Sequence, residues 1–309
     1  MKDKFIRYTT DNLRNIINRL EYRLPGENKY KFFYQYINFC LKKDFDRIDK
    51  VFNFTHNTHT KNTKEIPYKF WVMWWQGLQD KNTPLIIKRN IKRLQKLFGK
   101  ENVIVITKYN FKEYTHISDN IIKKLEEEKI SFTNWSDIVR FNLLREQGGY
   151  WIDSTVVISE QFLKILHKNK KNDFFTLCNI QKDYQNISYS QWTGWLMGGK
   201  DHFCLFEYAS SFYEMYFNYH DYIIDYFLID DIIAHYYLKD KSFNTMCDAT
   251  KKDWHPYYWI RNCEKNYDGS MFFKFNNKME YSVQKLTYKF DENIFNNKHS
   301  LLSYILKNI

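Results

Sequence analysis

One stretch limits what this chain can fold into more than any other: residues 136–158, SDIVRFNLLREQGGYWIDSTVVI. Asp137 and Arg140 stand three apart, which places them on one side of a helix, while Ile138, Phe141 and Leu144 share an apolar side. Gly148 and Gly149 end that helix, and Tyr150 to Ile152 make a hydrophobic strand that runs into Asp153. In α/β sheets, ligands sit in the crevice beyond the carboxyl ends of the strands. The segment therefore carries an acid, a guanidinium and a second acid to one crevice mouth, an arrangement that suits a sugar nucleotide.

The residues before it supply a partner unit. Phe70 to Trp75 is apolar without alternation, as expected of a strand covered on both faces, and Gln76 and Gly77 break it. Thr83 and Pro84 predict an N-cap and first-turn proline, Ile87, Ile91, Leu94 and Phe98 a buried stripe, and Gly99 a helix end. Asn102 to Thr107 is a second strand, so the pair should be parallel with a right-handed crossover. Ser118 is placed to cap a further helix through Glu128.

Residues 1–64 read as a basic helical segment, with Leu13, Ile16, Ile17 and Leu20 and then Phe32, Phe33, Tyr36 and Phe39 at helical spacing. The polar tract Thr55 to Lys64, which holds His56 and His59, predicts a linker to a second unit at 65–309. Downstream, Asp173 to Asn179 reads as a strand and Gln191 to Gly199 as a loop with Trp192 and Trp195. Asp201 to Tyr219 and Asp221 to Tyr237 read as aromatic helices, and Asp248 to Arg261 as part of an acceptor pocket.

Composition narrows the function classes. Aromatic residues make up 19% of the chain while Gly (9) and Pro (4) are scarce, which excludes a disordered or low-complexity protein. A net charge of +11 invites an anionic partner: nucleic acid, a membrane face or a phosphorylated small molecule. No arginine-rich tail, finger spacing or RNA-binding aromatic signature is present, so no nucleic-acid partner is expected. Five cysteines without a CxxC pair point to reduced thiols, and no uncharged run of about 18 residues occurs. These features predict a cytoplasmic protein, peripheral at the inner face of the cell membrane. There is neither GxGxxG nor GxxxxGK[ST], so side chains or a metal must hold any phosphate.

The order Ile66-Pro67, WVMWWQG (71–77), Pro84, SDIVRFNLLREQGGYWIDSTV (136–156), YFLID (226–230) and KLTYK (285–289) resembles the bacterial capsular polysaccharide synthesis glycosyltransferases, among the sugar transferases with a DXD motif. The resemblance covers roughly residues 65–290 and leaves the first 60 outside. It implies a GT-A fold, a nucleotide-binding α/β sheet flanked by helices, here with an added N-terminal helical segment.

The resemblance also implies roles. Asp137 and Arg140 would contact the donor sugar and its diphosphate, and Asp153 would bind the ribose or a divalent cation, Mn²⁺ or Mg²⁺. Trp74, Trp75 and Gln76, at the end of the first strand, are expected near the base. The motif departs from the pattern, because Asp153-Ser154-Thr155 has threonine where a second carboxylate belongs. Hard cations favour carboxylate oxygens, so Asp230, Asp231 or His235 would have to help hold the metal, or Arg140 and nearby lysines would neutralise the diphosphate alone. Lys285 and Lys289 are candidates for phosphate contact.

The expected activity is transfer of a hexose from a nucleotide sugar, UDP-linked, to a capsular or other surface polysaccharide, a glycan or lipid-linked saccharide being the acceptor. The family analogy implies retention of configuration; an inverting reaction would need a base, for which Asp230 or Asp231 is suited. The alternative is a noncatalytic glycan- or nucleotide-binding protein.

Overall fold

The computed structural model describes residues 2–21, 27–54, 65–290 and 297–309. The expected linker at 55–64, with His56 and His59, lies outside the described residues. Two long helices come first, α1 (Lys2–Glu21) and α2 (Asn28–Val51). Then β1 (Phe70–Met73), α3 (Leu85–Phe98) and β2 (Val103–Ile106) form the expected unit, with β1 and β2 parallel from Phe70 opposite Val103 to Met73 opposite Ile106. The helix starts one residue later than the Thr83 cap predicts. The Thr83 hydroxyl instead donates to the Gly77 carbonyl at 3.0 Å, tying down the turn that leaves β1.

Next come α4 (Asp119–Glu126), α5 (Phe132–Gln147) and β3 (Gly149–Ile152). Ser131 caps α5 by accepting from the Asn134 N–H at 3.2 Å, so the helix begins a turn before Ser136. Gly149 takes φ +94°, and a Cβ there would meet the Lys69 carbonyl at 2.7 Å; only glycine lets the chain turn from α5 into β3 against β1.

The remainder runs β4 (Val156–Ile158), α6 (Gln161–Asn169), β5 (Phe174–Thr176), β6 (Cys178–Asn179), β7 (Leu196–Gly199), α7 (Cys204–Tyr219) and α8 (Leu228–Lys239). After these follow α9 (Lys241–Asp248), β8 (Lys252–Trp254), α10 (Ser270–Asn277), β9 (Val283–Lys285) and α11 (Leu301–Asn308). The main sheet has the order β2-β1-β3-β7-β5; β1 pairs parallel with β2 and β3, while β7 runs against both β3 and β5. It is thus a mostly parallel sheet flanked by helices. Two readings need correction: Leu196–Gly199 is a strand inside this sheet and not a loop, and 221–227 is not helical, α8 beginning only at Leu228.

Alternation along the strands builds two cores. Trp71, Met73, Trp151 and Met197 face one side, where they join α5, α7, α8 and the apolar stripes of α1 and α2, including Ile17, Phe33 and Leu41. Phe70, Val72, Tyr150, Ile152 and Leu196 face the other, against Ile87, Leu94, Phe162, Phe275 and Ile305. Strands buried on both faces need no polar positions, which is why β1 and β3 read as unbroken apolar runs. The N-terminal helices thus share a core with the sheet. Among the described residues no helix is long and apolar enough to cross a membrane, and none of the five cysteines forms a disulfide.

Candidate active site

β1 and β3 are parallel neighbours, so the residues after them open on the same edge of the sheet. There a cavity of about 520 Å³ is lined by Trp74, Trp75 and Gln76 after β1 and by Asp153, Ser154 and Thr155 after β3. Asp137 and Arg140 project into it from the middle of α5, and Asp230 from the first turn of α8. Lys285 and Lys289 complete that side from β9 and beyond.

The charged groups form one chain of contacts. Arg140 donates through Nη1 to Asp137 Oδ1 at 2.8 Å and through Nη2 to Asp153 Oδ1 at 3.2 Å. Its guanidinium carbon also sits 4.9 Å from the Trp151 ring centroid, while the Trp151 indole N–H donates to Asp153 Oδ1 at 2.8 Å. Lys285 Nζ donates to Asp153 Oδ2 at 2.7 Å and to the Thr155 hydroxyl at 2.8 Å. Sequence spacing alone brings Asp137, Arg140 and Asp153 near one another; the lysine arrives because β9 pairs antiparallel with β4, setting Lys285 opposite Val156.

Electrostatics divides the acids. Burial alone would raise the Asp153 carboxyl, but the Lys285 ammonium and Arg140 guanidinium outweigh it and hold it below the usual carboxylate range. Burial pushes Asp137 up to about 7 despite the pull of Arg140. Burial also pushes Asp230 up to about 6, opposed by the Trp192 indole N–H, which donates to its Oδ1 at 2.9 Å, and by Arg140. Asp153 is thus a fixed anion, and the other two carry charge that the pH can remove.

A divalent cation suits these residues poorly. Both oxygens of Asp153 already accept from cationic donors, and Thr155 offers a neutral hydroxyl that Lys285 also takes. A positive ion held about 4 Å from an ammonium is opposed by about 4 kcal/mol per unit charge at an effective dielectric of 20. Among the described residues no group of three His, Cys, Asp or Glu side chains gathers as a metal site.

A family model described as capsular polysaccharide synthesis protein matches residues 21–305. The chain belongs to this family. No curated protein and no solved structure gives a match. Membership in the capsular polysaccharide synthesis family suggests a role in capsule biosynthesis. The match takes in α2, so the resemblance extends further toward the N-terminus than residue 65.

Within this family member, Trp74, Trp75, Gln76, Asp137, Arg140, Asp153, Asp230 and Lys289 all line the one cavity. Trp74 packs edge-on to Tyr288 and Trp75 to Trp135. Asp231 is not among the residues that line the cavity: it is buried, with Asp225 and Arg14 as its charged neighbours. His235 also lies elsewhere, 3.0 Å from Asp49 and stacked on Phe45. Of the 248–261 stretch, Tyr257 lines the cavity, receiving the Trp195 indole N–H at 3.1 Å. The polar wall of Asn179, Asp183, Asn186, Ser188 and Ser190 was not foreseen, since a run such as KDYQNISYS carries no pattern that separates a site from a surface loop.

Proposed function

We propose that this capsular polysaccharide synthesis family member is a retaining glycosyltransferase of GT-A type. It moves a hexose from a UDP-linked donor to a glycan or lipid-linked saccharide. The observation that carries this reading is the ion-pair chain Asp137–Arg140–Asp153 on the wall of a 520 Å³ cavity beyond the ends of two parallel strands. A cavity of that size accommodates a nucleotide sugar, and tryptophans on one wall with a guanidinium on another match a base at one end and a diphosphate at the other.

In the reaction the bond from the sugar C1 to the β-phosphate oxygen breaks, and its electron pair stays on the phosphate. The acceptor oxygen forms the new C1–O bond, and its proton passes to the departing diphosphate, so retention requires no protein base. Arg140 holds the developing charge, Asp137 fixes the guanidinium, and Asp153 orients Arg140 while offering a carboxylate oxygen to a sugar hydroxyl. The polar wall from Asn179 to Ser190 forms the acceptor side. Exposed Phe5, Tyr8, Phe32 and Phe39 on the basic N-terminal helices would rest against an anionic membrane carrying a lipid-linked acceptor.

The test is to incubate the protein with a panel of UDP-hexoses, with and without Mn²⁺, and follow donor hydrolysis or transfer. Asp153→Asn should lower turnover about 100-fold or more, the scale expected when a group that holds a transition-state contact is lost, while circular dichroism stays native. Retained turnover in that variant overturns the assignment of Asp153. Thermal stabilisation by a nucleotide sugar without turnover would instead identify a binding protein.

A further inference from the structure

We propose that the Lys285 ammonium takes the position and the task of a metal ion at this site, so that the diphosphate of the donor is held by Lys285 and Arg140 without a divalent cation. This rests on the nucleotide-sugar reading above and adds to it the nature of the counter-charge.

Three observations carry the inference. First, the position where a second acid would hold a cation is Thr155, and its hydroxyl is taken by Lys285 at 2.8 Å. The same ammonium lies 2.7 Å from Asp153 Oδ2, so one positive charge bridges the two residues that a metal would bridge. A threonine there fits an ammonium because a neutral acceptor completes its hydrogen bonds without adding charge, whereas a divalent ion needs anionic oxygen.

Second, the lysine is fixed and not draped over the surface. The Lys285 N–H donates to the Pro256 carbonyl at 2.7 Å, Leu286 donates to the Thr155 carbonyl at 3.0 Å, and the β4–β9 pairing runs from Val156–Lys285 to Ile158–Val283. Backbone contacts on both sides set the height of the side chain relative to Thr155. Third, an ammonium has three N–H donors, and Asp153 and Thr155 use two. The third is left for an oxygen entering the cavity that Lys285 lines with Thr287 and Lys289.

Arg140 and Lys285 bring two positive charges to the permanent negative charge of Asp153, and burial, which pushes the Asp137 carboxyl up to about 7, lets that neighbouring acid lose its charge as the pH falls. The leaving diphosphate takes up the electron pair of the broken C1–O bond, and Lys285 and Arg140 face that charge without any exchange of ligands on a metal.

The test uses equilibrium titration of the full chain with UDP, GDP, CDP, ADP and dTDP after chelation with EDTA, and again with added Mn²⁺ or Mg²⁺. One of these nucleotides is expected to bind with an affinity that metal changes less than about two-fold. Lys285→Met should weaken that binding about ten-fold or more, the size of a charge-assisted hydrogen bond, and Lys285→Arg should restore most of it. Circular dichroism on each variant separates loss of contact from loss of fold, and the wild-type comparison with and without metal decides independently of any variant. Binding that EDTA abolishes and Mn²⁺ restores overturns the inference while leaving the nucleotide-sugar reading intact. No binding of any of the five under either condition overturns that reading, and the inference with it.

Discussion

Arg14 Nη2 lies 2.6 Å from both carboxylate oxygens of Asp225, across 211 residues of sequence. The guanidinium is flanked by Phe33 and Phe227, 4.6 Å and 4.7 Å from their ring centroids, and the acid is fully buried. This pair fixes α1 to the loop that leads into α8. Removing one member leaves the other charge buried and unpaired, so Arg14→Met should cost about 3–5 kcal/mol. With about 2.1 cal/mol/K of unfolding entropy per residue over 309 residues, each kcal/mol is worth about 1.5 °C, so the melting temperature measured by circular dichroism should fall by roughly 5 to 8 °C.

Asp231 gives a pH signature of its own. Burial, then the charge of Asp225, pushes its carboxyl well above the ordinary carboxylate range in the folded protein. The folded state thus binds this proton more tightly than the unfolded chain, whose aspartates titrate near about 3.9. The associated stability is complete below that pH and is lost as pH rises toward the folded value. Asp231→Asn, which keeps the shape of the protonated acid, should remove this slope. The difference in melting temperature, variant minus wild type, should therefore grow as pH is raised from 4 to 8.

The cavity should discriminate anions by pH. Asp137 titrates at about 7 and Asp230 at about 6, both raised by burial, so lowering the pH from 8 to 5.5 removes negative charge from the walls. UDP-glucose, whose diphosphate charge is constant in this range, should bind more tightly as the pH falls. With charges about 8 Å apart at an effective dielectric of 20, each carboxylate accounts for about 2 kcal/mol before screening, so a change of several-fold to about ten-fold is expected. Asp230→Asn should flatten the lower part of the profile in a calorimetric titration.

Gly149 should tolerate no side chain. Its positive φ and the Lys69 carbonyl 2.7 Å from an added Cβ make Gly149→Ala cost about 2–4 kcal/mol through backbone strain and overlap. Since the residue begins β3, whose end delivers Asp153, any folded fraction of the variant should also show weaker nucleotide binding in a thermal-shift assay.

Much of this architecture was legible in the sequence because its signals are local. The helix, glycine pair and strand that carry Asp137, Arg140 and Asp153 are contiguous, and the β1–α3–β2 unit announces itself by apolar run and stripe. What was hidden depends on distant pairing or local competition. Lys285 stands out in the sequence as a phosphate candidate, but its seat beside Asp153 does not, since its strand of three residues is too short for a period and the partner β4 lies more than a hundred residues earlier. The glycines of β7 mimic turn residues in the sequence, whereas Gly198 is required by the Tyr150 ring, 2.5 Å from where a Cβ would stand. The helix expected from Asp221 is pre-empted by Asp225, whose side chain accepts from the Phe227 N–H at 3.2 Å and whose buried charge belongs to Arg14.

The β4–β9 pairing has a temporal consequence. A ribosome that has made everything up to Tyr281 has already produced the main sheet together with Asp137, Arg140 and Asp153, yet the ammonium that holds Asp153 is still to be synthesised. A nascent chain paused there would own a nearly finished scaffold with its principal anion held by Arg140 alone, and would acquire its full electrostatic balance only when β9 zips into place.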